Sequence, residues 1–276
     1  MALSHKHKSG GHSVLALLGL TLGLASSQGQ AADNDLDLAN SLSNPVAAMI
    51  SVPLQFNYDA KIGPQRDGSR TQLNLQPVVP FTVNENWNLI SRTIVPLVSQ
   101  TDISPGSGTQ TGLGDISQSL FFSPRQLSDD GVIWGAGPVF LLPTGSEPEL
   151  TARKWGAGPS GVVLRQSHGW TYGILANHVW SVAGSQNRDG ISATFVQPFL
   201  SFTTPDAWTY AINTESTYDW KHSQWSVPVN VNASKLLKLG GMPVSIGGGL
   251  HYWVESPDTA PHGWGVRTTI TLLFPN

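Results

Sequence analysis

The chain has 276 residues, with 15 basic against 18 acidic side chains for a formal charge of −3, no cysteine and 10 tryptophans. That balance lacks the basic footprint of a nucleic-acid binder. The absence of cysteine excludes disulfides, thiolate metal sites and cysteine nucleophiles, and suits an oxidising compartment. Charged residues make up 12% of the chain, against about 25% in ordinary soluble domains, yet no stretch beyond the N-terminus supplies the roughly 20 apolar residues of a membrane helix.

At the N-terminus, Lys6 and Lys8 precede an apolar run from Val14 to Ala25, followed by the small residues Ser26, Ser27, Gly29, Ala31 and Ala32. This order reads as a secretory signal peptide over residues 1–32, cleaved near Ala31 or Ala32. The run is too short to span a bilayer, and no cysteine follows it to accept a lipid anchor, so the chain is expected to be exported and released. His5, His7 and His12 leave with it and are not read as a metal tract. About 244 of the 276 residues remain, with 13 basic and 18 acidic side chains and a net charge of about −5. Residues 33–45 form an N-terminal segment, periplasmic or lumenal, in which Leu36, Leu38 and Leu42 make a weak apolar stripe suited to plugging a barrel or left in a disordered leader.

From residue 46 onward the pattern has period two. Ile50, Val52, Leu54, Phe56 and Tyr58 alternate with Ser51, Pro53, Gln55, Asn57 and Asp59, the signature of a strand with one apolar face. Leu73, Leu75, Val79, Phe81 and Val83 repeat it, as do Trp208, Tyr210 and Ile212. Near the end Trp225, Val227, Val229, Val231 and Ala233 alternate with polar residues, and so do Trp264, Val266, Thr268, Ile270, Leu272 and Phe274. Twelve strands are expected, near 46–60, 70–83, 87–98, 111–123, 131–142, 155–166, 169–181, 191–202, 207–220, 223–236, 243–254 and 264–274. Most are long enough to cross a membrane when tilted. Their connections mostly alternate short and long, as the turns and loops of an outer-membrane barrel do. Two depart from this: 124–130 is long for a turn, and Lys221 with His222 makes a very short loop. Nine tryptophans, Trp87, Trp155, Trp170, Trp180, Trp208, Trp220, Trp225, Trp253 and Trp264, fall near strand ends, where aromatic girdles belong.

The Trp-Gly-Ala-Gly-Pro stretch from Trp134 to Pro138 returns from Trp155 to Pro159. No helix follows to present its N-terminus to phosphate, so these are read as strand glycines that allow close approach and curvature, and Gly247, Gly248 and Gly249 likewise. Ser167 and His168 are the one pairing that invites a nucleophilic reading, but neighbours on a strand point to opposite faces. A turn is expected there, and no catalytic residues are assigned. His178, His222, His251 and His262 show no metal-ligand spacing, and no cofactor is expected. Charges within strands avoid lipid. Parity therefore turns Glu215, Asp219 and Arg267 inward, and Arg92 and Asp115 with them, either as structural ion pairs or as a constriction that selects solutes.

Several stretches together carry a family resemblance: Asn44–Pro53, Gln76–Pro80, Trp87–Arg92, Gly112–Ile116, Phe121–Pro124, Pro143–Gly145, Gln197–Phe199, Ser234–Gly240 and Leu272–Pro275. Through them nearly the whole mature chain resembles a bacterial family of outer-membrane transporters linked to the meta-pathway of phenol degradation, whose members are often mislabelled neuromedin U. The resemblance implies a barrel that moves hydrophobic or aromatic compounds, and it offers no catalytic residues. One departure from ordinary barrels is that Phe274 is followed by Pro275 and Asn276, whereas the assembly signal usually ends on the aromatic residue. The reading is an all-β, transmembrane, antiparallel up-and-down barrel over residues 46–276. Its expected work is as an outer-membrane pore or passive transporter of small solutes, with outer-membrane lipids and the barrel-insertion machinery as its other partners and no nucleic acid. An outer-membrane lipid hydrolase and a non-conducting, ligand-holding barrel are the alternatives. A twelve-stranded wall lies between eight strands, filled by side chains, and sixteen, which leave an open channel. A narrow or partly plugged lumen is expected.

Overall fold

The structure, a computed structural model, describes residues 34–274 apart from 127 and 129. The expected signal peptide and the two terminal residues lie outside the described residues. A helix, α1, over residues 34–42 precedes fifteen hydrogen-bonded segments. These are β1 Ile50–Ile62, β2 Gly68–Leu75, β3 Val78–Thr82, β4 Trp87–Thr101, β5 Thr109–Leu113, β6 Ile116–Pro124, β7 Val132–Leu142 and β8 Lys154–Ser167, then β9 Trp170–Gly184, β10 Ser192–Thr203, β11 Trp208–Thr214, β12 Ser216–Asp219, β13 Gln224–Leu239, β14 Met242–Glu255 and β15 Gly263–Phe274. The pairs β2 with β3, β5 with β6 and β11 with β12 are each one wall strand with an interruption, so the wall has twelve strands. All neighbours are antiparallel, and β1 pairs β15 from Ile50 opposite Phe274 to Tyr58 opposite Val266. The sheet closes on itself and leaves no edge with unpaired peptide groups.

The interruptions have chemical causes. At Gln76 and Pro77 the register continues from Leu75 opposite Val95 to Val78 opposite Arg92, and the ladder lapses because prolines 53 and 77 have no N–H to donate. Glu215 sits in the same kind of gap. Its strand keeps register with β10 and β13 on both sides, and those neighbours bring Pro198 and Pro228 against the break. At Gly114 and Asp115 the register does shift, by one residue between Leu97 opposite Leu113 and Ile94 opposite Ser117, which is a β-bulge.

Alternation sorts the side chains as parity requires. In β13 Val231 is 57% exposed while Asn230 is fully buried, and in β15 Trp264 is 67% exposed while Leu273 is fully buried. The apolar set therefore faces outward, the reverse of a soluble sandwich. Trp87, Trp134, Trp170 and Trp208 ring one end of this surface; Trp155, Trp180, Trp220, Trp225 and Trp264 ring the other. Trp253 departs from the expected girdle. It turns inward, and its indole N–H donates to Asp59 at 2.7 Å. Connections of two to seven residues close the end near α1, against four to eleven residues at the opposite end. The long turn at 125–131 and the short loop at 220–223 keep the irregularity seen in the sequence.

The expected first strand begins four residues later than its sequence window, at Ile50. Asn44 and Pro45 end the helical course, because a residue before proline is pushed out of the helical region, and the Asn44 side-chain oxygen takes the Val46 N–H at 3.0 Å. Val46 and Met49 are buried inside the barrel rather than in its wall. Leu38, Ala39 and Leu42 on α1 pack with Met49, Ala207, Leu236 and Leu273, one apolar helical stripe meeting inward strand positions. Asp35 pairs with Lys238 at 2.7 Å, and the Gln166 amide donates to the Asn40 carbonyl at 2.8 Å. Beside it Val46 packs with Ile90, Phe121, Val162, Leu164 and Leu175. A Cβ on Gly135 would stand 3.1 Å from Val46 and 3.3 Å from the Phe121 Cβ, so the bare position leaves room for the N-terminal segment.

One substitution pair tests the facing. Val231→Arg places a charge among lipid-facing residues at a cost of about 2–4 kcal/mol at midplane, whereas Asn232→Arg one position on enters the polar interior. Folding into lipid vesicles, followed by the shift in gel mobility between boiled and unboiled samples, should fall sharply for the first and little for the second. Equal yields would mean that the facing is reversed or absent.

Candidate functional site

Above α1 and the Val46 cluster lies a chamber of about 590 Å³. Its wall comes from the inward positions of nearly every strand, among them Gln55, Gln76, Asn177, Gln197, Asn213 and Asn232, with Arg92, Glu215 and Arg267 as its charged members. These amides occupy the polar places of the alternation, so the pattern that greases the outside of the wall also wets its inside.

Arg267 is the most heavily bonded group in the chamber. Nη1 and Nη2 donate to the two Glu215 carboxylate oxygens at 2.8 Å each, and Nε donates to the Asn57 side-chain oxygen at 2.7 Å. The Gln55 amide lies within 3.2 Å of all three guanidinium nitrogens. Two-pronged carboxylate bonds of this kind are short and strong. Asn57 and Arg267 are direct partners across the closing seam, whereas Glu215 reaches them from beyond β13 and β14. Gly247, Gly248 and Gly249 carry no side chains into the space between. Arg92 is held by less, a 3.1 Å bond from Nη2 to the Gln76 side-chain oxygen.

Of the five charges placed inward by parity, the structure gathers Arg92, Glu215 and Arg267 and puts the other two elsewhere. Asp115, in the bulge, accepts from the backbone N–H groups of Gly145 at 3.0 Å and Ala152 at 2.7 Å. It clasps the 143–153 loop against the wall. Asp219 stands at the rim and accepts from the backbone of Lys221 at 2.8 Å and from His222, shaping the short 220–223 loop.

Nearer the long-loop end, the structure adds a polar cluster that the sequence reading did not assemble. Asp59 accepts from the Trp253 indole at 2.7 Å and lies 2.7 Å from His251 Nε2. His251 is a whole strand away, with Gly265 between them, and a Cβ there would stand 2.1 Å from the imidazole. The glycine opens the path. Asp59 did show in the sequence as a polar residue within an alternating strand, but its partner 192 positions later becomes visible only once the barrel closes.

The turn expected at Ser167 and His168 is present, but the opposite facing expected of the two side chains is not. Ser167 and His168 do bond, at 2.7 Å, because His168 adopts a positive φ of 51° in the turn and leaves the alternation. A second pair faces outward near the long-loop rim: His178 Nδ1 lies 2.7 Å from the Thr194 hydroxyl, and Nε2 lies 3.4 Å from the Ser192 hydroxyl. The Trp220 indole donates to Thr194 at 2.8 Å. This favours a Thr194 proton directed at Nδ1 and an imidazole proton on Nε2, the nitrogen that a general base toward Ser192 needs bare. Among the described residues no group of three or more metal-ligating side chains is assembled.

These geometries define a class of protein, the closed outer-membrane β-barrel. No family model matches the chain, and no curated protein matches it. Among solved structures the chain is similar to an outer membrane channel from Pseudomonas putida F1, at 13% identity and a TM-score of 0.63, with 82% of this chain and 96% of that one covered. It is also similar to the NanC porin, at 12% identity and a TM-score of 0.48, covering 82% and 100%. A third likeness is to the outer membrane phospholipase A of Escherichia coli, at 10% identity and a TM-score of 0.46, covering 81% and 92%. The first establishes the fold.

Two measurements probe the site. Glu215→Gln strands the Arg267 charge inside the barrel, and breaking one partner of a buried pair costs about 3–5 kcal/mol. Urea unfolding followed by tryptophan fluorescence should show that loss, and Glu215→Gln combined with Arg267→Gln should recover part of it. Additive losses would mean that the two side chains do not interact.

At the rim, the hydrogen bond and charge of Asp219 raise the His222 imidazole pKa above its ordinary value of 6.5. Being raised in the folded state, this contribution is present in full below the ordinary value and is lost as pH rises through the raised one. An NMR titration of the His222 ring should give a midpoint above 6.5 that falls in Asp219→Asn. An unmoved midpoint would remove the pairing.

Proposed function

We propose that the protein is an outer-membrane pore or passive transporter for small solutes, hydrophobic or aromatic ones among them. The observation that carries this reading is a closed wall, apolar outside, around a polar chamber with fixed charges of both signs. Such charges between low-dielectric walls set a local field along a solute path. The family resemblance in the sequence points the same way. On this reading the protein belongs with the outer-membrane transporters linked to the meta-pathway of phenol degradation, enters the membrane through the barrel-insertion machinery after export, and catalyses no reaction. The lumenal helix supports a second reading, a barrel that holds a ligand without conducting, because α1 fills the inner-turn side of the lumen.

Planar-bilayer recording separates the two. Wild type should conduct weakly, and Asp35→Lys with Leu42→Ser, which sets α1 against Lys238 and removes its apolar anchor, should raise conductance by about twofold or more as the constriction widens. Arg92→Gln should move ion preference toward cations. A protein that conducts in neither form and speeds no uptake into liposomes is not a pore, and the holding reading replaces it.

A further inference from the structure

The two chamber arginines differ in pairing. Arg267 is closed off by Glu215, Asn57 and Gln55. Arg92 has one bond, to a neutral amide, and among the described residues no carboxylate lies within 4.0 Å of it. A guanidinium offers five N–H donors in a planar fork, so most of this fork is free. With two guanidinium groups and one carboxylate among the chamber's lining side chains, the balance is a single positive charge. A charge away from bulk water and without a carboxylate in contact is costly, and an anion seated on the fork relieves that cost.

What lies around Arg92 limits what the anion can be. Arg92 is flanked by Val78 and Ser119 on the neighbouring strands. The chamber is lined by Val78 itself and by Leu175, Phe195 and Phe199. Leu175 belongs to the buried apolar cluster, and Val78, Phe195 and Phe199 pack against that cluster. The chamber thus offers one cation above an apolar floor, in a volume of about 590 Å³, within the span of small-molecule sites. A dianion would bring its second charge toward Glu215, and a fully polar anion would leave the floor unused.

We propose that this chamber binds small organic monocarboxylates, with the carboxylate on the Arg92 fork and a compact apolar body against Val78, Phe195 and Phe199. The proposal deepens the reading of the lumen as a solute path and rests on it for its physiological meaning, while the binding itself can be measured without conduction. Equilibrium dialysis of labelled benzoate against the folded protein in detergent, competed with benzamide, is the direct test. Benzoate should be retained, with benzamide about tenfold weaker or more, as expected for loss of a charged hydrogen bond. Arg92→Gln should lower benzoate to the benzamide level, and Arg92→Lys should fall between. Equal binding of benzoate and benzamide overturns the proposal, as does undiminished benzoate binding by folded Arg92→Gln; if that variant does not fold, the benzoate-to-benzamide ratio on the unaltered protein decides. Benzoate binding without conductance leaves the site standing and removes the pore reading. Conductance without benzoate preference does the reverse.

Discussion

The constraint on which everything else depends is that a peptide group facing lipid has no water to bond. A twelve-stranded sheet meets it only by closing, and the pairing of β1 with β15 is the closure. Once the sheet is closed, each inward residue has an outward neighbour, so a wall made acceptable to lipid acquires a polar interior as a consequence. The glutamine and asparagine ring of the chamber and the exposed tryptophans of the outer surface are two faces of one alternation.

The same constraint explains where the wall tolerates irregularity. Prolines at 53, 77, 198 and 228 remove ladder donors, and two of the three interruptions fall beside them. Glu215 sits in one such interruption and turns inward to the bidentate pair with Arg267. The bulge at Asp115 lets a wall residue hold an outer loop by its backbone. Each lapse in the ladder lies next to a side chain with a task inside the barrel or at its rim, as is common for bulges and kinks in barrel walls.

The lumen is shaped from within as much as by strand number. Without α1 and Val46, the inward Leu236, Leu273, Ile90 and Phe121 would line a wet passage; with them these side chains are buried. The N-terminal segment thus divides the interior into an apolar plugged part and a polar chamber, and it is the boundary between them that sets Arg92 over an apolar floor.

Strand existence, facing and number were legible in the sequence because period two is a local property: Val227, Val229 and Val231 declare their face without knowledge of any partner. Parity also turned the strand charges away from lipid, but it did not say which of them reach the chamber. Local reasoning could also place residues 33–45 in the lumen or outside it, but could not choose, because three leucines on a short helix have no preference until a barrel interior is there to receive them. Trp253 was misassigned to a girdle since position near a strand end says nothing of the Asp59 carboxylate that draws its indole inward.

Which charges meet was beyond the sequence altogether. Arg92, Asp115, Glu215, Asp219 and Arg267 are equivalent by parity, yet the tertiary structure pairs Glu215 with Arg267, assigns Asp115 and Asp219 to loops, and leaves Arg92 with an amide. The sequence by itself determined the wall, because each residue's face follows from its neighbours one and two positions away. Only the tertiary structure decided the contents of the lumen, because contacts such as Asp59 with His251 and Glu215 with Arg267 span 192 and 52 positions and exist only after the first and last strands have met.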